Sequence, residues 1–377
     1  MNSSGQISIE TISHDARYHG WPTVARRNNG ELLCAYSGGR EAHVCPFGQV
    51  HLVRSSDEGR TWSGPAVLAD GPLDDRDAGV LETSRGTLLV NWFTSLAWES
   101  MLERAERAEP RPGKEREQQF AQDEARVARW KKVRDALTDD VRRRELGCWV
   151  IRSEDGGTTW SDKIDTLVNS PHGPTELAEG RLLYVGTLRR ETREPSEGGS
   201  PFCGRLCVAE SNDDARSWKR IAEIAAAPGD TAAQYHEPHA VEAADGRIVA
   251  QIRNHNENHH HETLQTESFD GGKTWAVPHG IGVWGYPSHL LRLRDTRLLM
   301  TYGHRRPPMG NLARLSDDHG RSWSDPISLS ADGAGDLGYP SSVQLDEKAL
   351  LTVWYERRPD APMAVLRQAR WNLDNSD

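Results

Sequence analysis

The chain has 377 residues, of which 36% are hydrophobic and 27% charged, with 13 tryptophans; this composition builds a packed core and excludes a disordered or collagen-like polymer. Its formal charge of −10 repels a phosphate backbone, which argues against nucleic acid as the main partner. No apolar run reaches the roughly 18 residues that cross a bilayer, and the opening MNSSGQISIETISHD lacks the basic region and apolar stretch of a secretory signal, so a cytoplasmic protein with no membrane partner is expected.

In chain order, the first predicted element is a strand–turn–strand unit, GWPTVARRNNGELLCAYSGGR from Gly20, in which Asn29-Gly30 makes a hairpin turn between apolar runs. An octapeptide, SSDEGRTW, follows at Ser55. Its Asp suits a tight turn, where the carboxylate accepts backbone N–H bonds; its Gly takes positive φ, and its Trp packs between sheets. A second strand pair, DAGVLETSRGTLLVNWFTS from Asp77, leads into a helical insertion at residues 96–146. Here 24 of the 46 residues from Glu99 to Arg144 are charged, and Phe120, Val127, Trp130, Val133, Leu137 and Val141 recur at the spacings of an amphipathic helix. A shorter helix is expected before Pro110. The insertion is expected to pack on the outside or to form a homo-oligomer contact, with a lid over a central cleft as the other reading. Its 11 acids against 13 bases disfavour a nucleic-acid or membrane helix.

Beyond the insertion the strand pairs resume: HGPTELAEGRLLYVGTLRR from His172, HEPHAVEAADGRIVAQIRNH from His236, GYPSHLLRLRDTRLLMTYGHRR from Gly285 and GYPSSVQLDEKALLTVWYERR from Gly338. Octapeptides alternate with them at Ser153, Ser211, Ser268 and Ser316, and in the one at Ser211 Ala215 replaces the glycine. A lone strand pair cannot bury both faces, so six similar sheets stack radially and hide their edges. The predicted fold is all-β, a six-bladed β-propeller forming one domain over residues 1–377, with the 96–146 insertion inside it. Cys34, Cys45, Cys148, Cys203 and Cys207 are odd in number and lack CxxC spacing, which indicates neither a disulfide framework nor a structural zinc site.

The six strand pairs place equivalent residues around the axis. Trp21, Asp77, His172, Glu237, Tyr286 and Tyr339 stand at their starts, and Arg40, Arg189, Arg253, His255, Arg305, Arg306 and Arg357 at their ends. Buried charges are expensive unless paired, so this ring suggests an aqueous cleft with fixed charges, with blade-to-blade ion pairs as the competing reading for each Arg. Nine of the 15 histidines fall between His236 and His304. His236 and His239, three apart on one strand, face opposite ways and so cannot share a metal; no metal and no cofactor is expected.

The five Asp-containing octapeptides and the six units resemble the sialidase (neuraminidase) superfamily, over nearly all the chain except the insertion, which implies a propeller of sialidase type. HEPHAVEAADGRIVAQIRNH matches that family's frame of a Glu and a following strand ending in Arg, and GYPSS matches its Tyr motif. The resemblance implies Tyr339 as nucleophile, Glu237 as its activating base, and Arg253 with Arg305, Arg306, Arg40 or Arg189 holding a substrate carboxylate. A phenol with a pKa of about 10 needs such a base near neutral pH. The chain departs from the family at Gly20-Trp21-Pro22, where an Arg-Ile-Pro motif is usual, and in REAHVCPFGQVHLVRSS, which contains no Asp. Asp77, Glu41, Asp75 and His43 are therefore the candidates for the general acid. Arg357, His172, His239, His255, Tyr286, His289 and Trp21 complete the expected sugar contacts. The implied partner is an acidic saccharide and the implied activity a retaining exo-glycoside hydrolase. A uronate-directed lyase and a non-catalytic carbohydrate-binding propeller are the other readings.

Overall fold

The computed structural model describes residues 7–13, 16–192, 199–358, 360–361 and 363–373. Its strands form six small antiparallel sheets arranged as a six-bladed β-propeller. Blade 1 orders Tyr18–Arg26, Leu32–Arg40, Gln49–Ser55 and Ala66–Ala69 from the axis outward; blade 2 orders Asp74–Glu82, Leu88–Ser95, Cys148–Ser153 and Ile164–Asp165. Blade 3 uses Val168–Asn169 and Thr175–Glu176, both against Leu182–Arg189, then Phe202–Ser211 and Lys219–Ile224. Blade 4 uses Tyr235–Glu242, Ile248–Asn254, Leu264–Ser268 and His279–Gly280; blade 5 uses Ser288–Arg292, Leu298–His304, Gly310–Ser316 and Ile327–Ser330. Blade 6 is closed from both chain ends: Leu337–Gln344, Ala349–Arg357 and Ala364–Asn372 receive Ser8–Thr11 as their outermost strand.

The cores lie between blades. Ala25, Leu33 and Leu52 of blade 1 meet Val80, Trp92 and Trp149 of blade 2, and Leu183 and Val208 of blade 3 meet Ala250 and Ile252 of blade 4. Each sheet thus buries its two apolar faces against different neighbours, which is why no blade is stable alone.

The Asp-containing octapeptides are the turns joining third to fourth strands. At Asp57, one carboxylate oxygen accepts from Thr61 N (2.9 Å) and Ser55 Oγ (2.7 Å), while the other accepts from Thr61 Oγ1 (2.6 Å). The same pattern recurs at Asp155, Asp213, Asp270 and Asp318. These bonds hold each carboxyl below its ordinary pKa. Ala215 occupies the usual glycine position at φ 63°, a left-handed conformation that a Cβ makes costly.

The opposite face, where first strands begin and second strands end, is the mouth. The insertion leaves the second strand of blade 2 and returns to its third, so it stands on this face. It forms four helices: α1 (Ala97–Glu106), α2 (Glu115–Gln122), α3 (Glu124–Ala136) and α4 (Asp139–Glu145). The amphipathic helix expected over its second half is cut twice. The side chain of Asp123 accepts from Arg126 N and that of Thr138 from Val141 N, so each starts a new helix. Trp98, Leu102, Phe120 and Trp130 pack with Cys45 and Leu73 of the propeller. Among the described residues no helix is long and apolar enough to cross a membrane.

Candidate active site at the propeller mouth

The backbone supplies the first feature of the site. At equivalent positions opening five blades, Trp21, Asp77, Gly173, Glu237 and Tyr339 have φ of 53°, 54°, 83°, 45° and 54°; in blade 5 the equivalent Tyr286 precedes Pro287 through a cis bond. The strand register shifts at four of them, so each first strand begins with a bulge that re-aims a side chain. A bulky residue at positive φ carries on the order of 1–3 kcal/mol of strain. Four non-glycine residues share that strain at one rim of the molecule.

Those bulges bring Glu237 and Tyr339 together across blades 4 and 6. Tyr339 Oη donates to Glu237 Oε1 at 2.6 Å. Arg253, from the end of the next strand, donates through one nitrogen to Glu237 Oε2 (2.7 Å) and to Tyr339 Oη (3.2 Å). Its Nε donates to His255 Nε2 at 2.8 Å, and its guanidinium lies 4.5 Å over the Tyr286 ring. Burial raises the Tyr339 pKa and the Glu237 charge raises it further. Burial also lifts Glu237, but Arg253 and the Tyr339 hydroxyl outweigh it and hold the carboxyl below its ordinary value. The resting pair is a neutral phenol donating to a carboxylate clamped by a cation. His255 is pushed down to about 4 by burial and by Arg253, so it faces Arg253 as a neutral acceptor.

Asp77 opens blade 2 on the same rim. Burial, with the charges of Glu237 and Asp74, raises it to about 7 against the pull of Arg76 and Arg40. Its Oδ1 is buried and has no hydrogen-bond partner among the described residues, while its main-chain N donates to Ser37 Oγ at 3.1 Å. The other acid candidates have different surroundings. Asp75 is also raised to about 7, chiefly by burial, but its two oxygens accept from Trp92 Nε1 (2.7 Å) and Gly71 N (2.8 Å), beside a separate cavity near Lys163. Glu41 accepts from Trp130 Nε1 and from Arg129 at 2.9 Å, and so anchors the insertion. His43, pushed down to about 3 chiefly by burial, is hydrogen-bonded to Tyr18 Oη at 2.7 Å.

Of the candidate arginines, Arg253 and Arg305 lie beside Tyr339. Arg305 Nε donates to Leu337 O (2.8 Å) and its Nη2 to Tyr355 Oη (3.4 Å), and the Tyr355 ring is 5.7 Å from that of Tyr339. Arg306 stacks 3.9 Å over Trp284. Arg40 is fully buried and donates to both oxygens of Asp74 (2.5 and 3.0 Å), an ion pair that joins blades 1 and 2. Arg189 is paired in the same way with Asp165 at 2.9 Å. Arg357 is exposed at the edge of a cleft beneath the insertion. Trp21 is buried, 6.4 Å from the Tyr339 ring.

Two groups escaped the sequence reading. Arg76, one residue before Asp77, lies 4.4 Å over Trp21 and 3.6 Å from Asp74; its place beside a bulge residue was the available signal. Asp336 accepts from Tyr18 (3.2 Å), Tyr355 (3.1 Å) and Arg116 of α2 (2.6 Å). Its signal was its position just ahead of the GYPSS motif.

His172, His239 and His289 form a separate buried cluster, with ring centroids 4.8 to 5.5 Å apart. Burial lowers the pKa of all three, so they are neutral. Leu290 N donates to His239 Nδ1 (2.9 Å) and Ser342 N to His289 Nδ1 (3.4 Å). Each of these two rings therefore carries its proton on Nε2, with no lone pair left there for a metal. The alternation expected to turn His236 and His239 opposite ways is broken by the bulge at Glu237: they pair with Arg253 and Gln251, two residues apart on the next strand, and so share a sheet face, one against His255 and the other against His172 and His289.

A family model described as a BNR repeat-like domain matches residues 6–236 and 228–351. No curated protein matches the chain. Among solved structures, a protein of unknown function from Dyadobacter fermentans DSM 18053 is similar at 24% identity and a TM-score of 0.71, with 96% of this chain and 97% of that one covered. The Hadza microbial sialidase Hz136 is similar at 16% identity and a TM-score of 0.65 (98% and 69% covered). A mutant of NanB sialidase from Streptococcus pneumoniae is similar at 13% identity and a TM-score of 0.68 (98% and 71% covered).

Proposed function

The chain belongs to the BNR repeat-like domain family, and from that premise we propose that it is a sialidase-like exo-glycoside hydrolase releasing an acidic sugar. The observation that carries the proposal is the 2.6 Å bond from Tyr339 Oη to Glu237, with Arg253 touching both. Fold likeness to two sialidases supports the same class of reaction.

The chemistry follows from the charges. Tyr339 Oη attacks the anomeric carbon while its proton passes to Glu237 Oε1. A neutral nucleophile avoids the repulsion that a carboxylate nucleophile meets from an anionic sugar, and Arg253 stabilises the negative charge that develops on the phenol oxygen. Asp77, protonated below about pH 7, donates its proton to the leaving oxygen as the glycosidic bond breaks. Water then attacks the tyrosyl–sugar bond, Asp77 takes the water's proton, and Glu237 returns one to Tyr339; two displacements retain the configuration. Arg253, Arg305 and Arg76 are the cations assigned to the substrate carboxylate, a role for which the guanidinium fork suits a planar anion.

The test is a panel of glycosides of sialic acid, of its deaminated analogue and of uronic acids, read by product mass and ultraviolet absorbance. Tyr339→Phe and Glu237→Gln are each expected to lower kcat/KM by at least about 100-fold. Native rates in both variants overturn the mechanism. A product with a new ultraviolet-absorbing double bond marks a lyase instead, and binding without turnover, equal in Tyr339→Phe, marks a non-catalytic propeller.

A further inference from the structure

A cleft of about 970 Å³ opens between the insertion and the mouth face of blades 1 and 6. Tyr18, His43 and Asp336 line it, and the same three side chains contact Trp21 and Tyr355 behind the Tyr339 group. On the other side stand α1, α2 and the loop between them. This volume is at the upper end of the roughly 300–1,000 Å³ usual for ligand pockets, enough for more than one sugar ring.

Its charge runs against that of the whole chain. The net charge is −10, yet the lining carries six cations, Arg104, Arg111, Lys114, Arg116, Arg126 and Arg357, against four carboxylates, Glu41, Glu115, Glu117 and Asp336. Three of those carboxylates are already engaged. Glu117 holds Arg104 and Arg111, Asp336 holds Arg116, and Glu41 holds Arg129. Lys114 and Arg357 are exposed, and neither forms an ion pair among the described residues. They belong to different bodies, Lys114 to the loop before α2 and Arg357 to the end of a blade 6 strand. Val44, Met101 and Met363 supply apolar surface in the same cleft. A ligand with anionic groups at intervals and apolar faces between them meets all of these at once.

We propose that this cleft binds an anionic oligosaccharide segment, held by Lys114 from the insertion and Arg357 from the propeller. Its connection with turnover at Tyr339 rests on the hydrolase reading; the binding itself does not. The test is calorimetric titration of the full chain with tetragalacturonate, with maltotetraose as the neutral control. The native protein is expected to bind the anionic probe, more weakly as salt rises, and not the neutral one. The Lys114→Ala/Arg357→Ala double variant should bind at least tenfold more weakly with an unchanged melting temperature, since both side chains are exposed and neither is in an ion pair among the described residues. Tyr339→Phe should bind the probe as the native protein does. Absence of binding by the native protein, equal binding by the double variant, or equal binding of maltotetraose overturns the proposal. Native turnover in Tyr339→Phe, with probe binding intact, strikes only the hydrolase reading.

Discussion

Asp77 and Glu237 occupy matching left-handed positions on one rim, yet their surroundings drive them apart. Glu237 has Arg253 at 2.7 Å and a hydroxyl donor, whereas Asp77 has a buried oxygen with no partner among the described residues and is raised to about 7. In the proposed mechanism such a split gives one carboxyl the part of acid and the other that of base. The proposed hydrolysis therefore needs Asp77 protonated and Glu237 ionised. We expect kcat/KM to fall as pH rises through about 7 and, on the acid side, only below the usual carboxylate range. Asp77→Asn should abolish the basic limb and lower kcat/KM about 10²–10⁴-fold for an alkyl leaving group, with a smaller loss for a nitrophenyl one that departs unaided. Asn tolerates positive φ, so the backbone stays. The same substitution should stabilise the fold: Asp77 is raised in the folded protein, so its contribution is full at low pH and is lost as pH rises toward 7. Asp77→Asn should melt higher than the native protein at pH 8 and level with it at pH 4. A persistent basic limb in that variant would remove Asp77 from the mechanism. At this scale the Tyr, Glu and Arg of the centre were legible because each sits in a short motif. The fate of Arg40 was not, since Asp74, which neutralises it, lies 34 residues away in another blade.

Among the elements, the insertion packs in an apolar cluster separate from the cores between blades. Trp130 is fully buried, 4.2 Å from the Phe120 ring and edge-on to Trp98, in a cluster that also takes in Ala42, Val44, Cys45, Phe47 and Leu73 of the propeller. Trp130→Ala should remove about 3–5 kcal/mol from that local core while leaving the cores between blades intact. It also frees Glu41 from its indole donor. The expected outcome is protease cleavage confined to residues 96–146, followed by mass spectrometry, with propeller melting little changed. Loss of the whole fold at one lower midpoint would instead make the insertion part of the blade's cooperative unit. Charge density and helical spacing made the insertion readable. Its division at Asp123 and Thr138 was also written in the chain as two N-capping residues, but the apolar period ran through them and concealed the breaks. The face on which it packs followed only once its connection, second strand to third, was placed at the mouth.

In the whole molecule the two faces divide the work. Asp-containing turns hold the blades on one side, while the bulges and charges gather at the other, so stability and chemistry are drawn from different residues. The six-fold count was legible because the same strand pair recurs. How the ring closes was not, because Ser8–Thr11 resembles no repeat, and its partner strand lies more than 350 residues away. It pairs from Ser8 with Arg370 to Thr11 with Arg367. Ile9 packs against the core between blades 5 and 6, and Glu10 accepts from Gln368, whose side chain also bonds Gly59 O and Trp62 Nε1 in blade 1. The strand therefore ties blade 6 to both neighbours and covers an edge that otherwise presents unpaired backbone groups. A chain begun at Ile12 should melt at least about 5 °C lower and should associate through the bared edge of Ala364–Asn372. Calorimetry and light scattering across a concentration series read both effects. A monomer with the native midpoint would mean that the contacts between blades 6 and 1 close the ring without this strand.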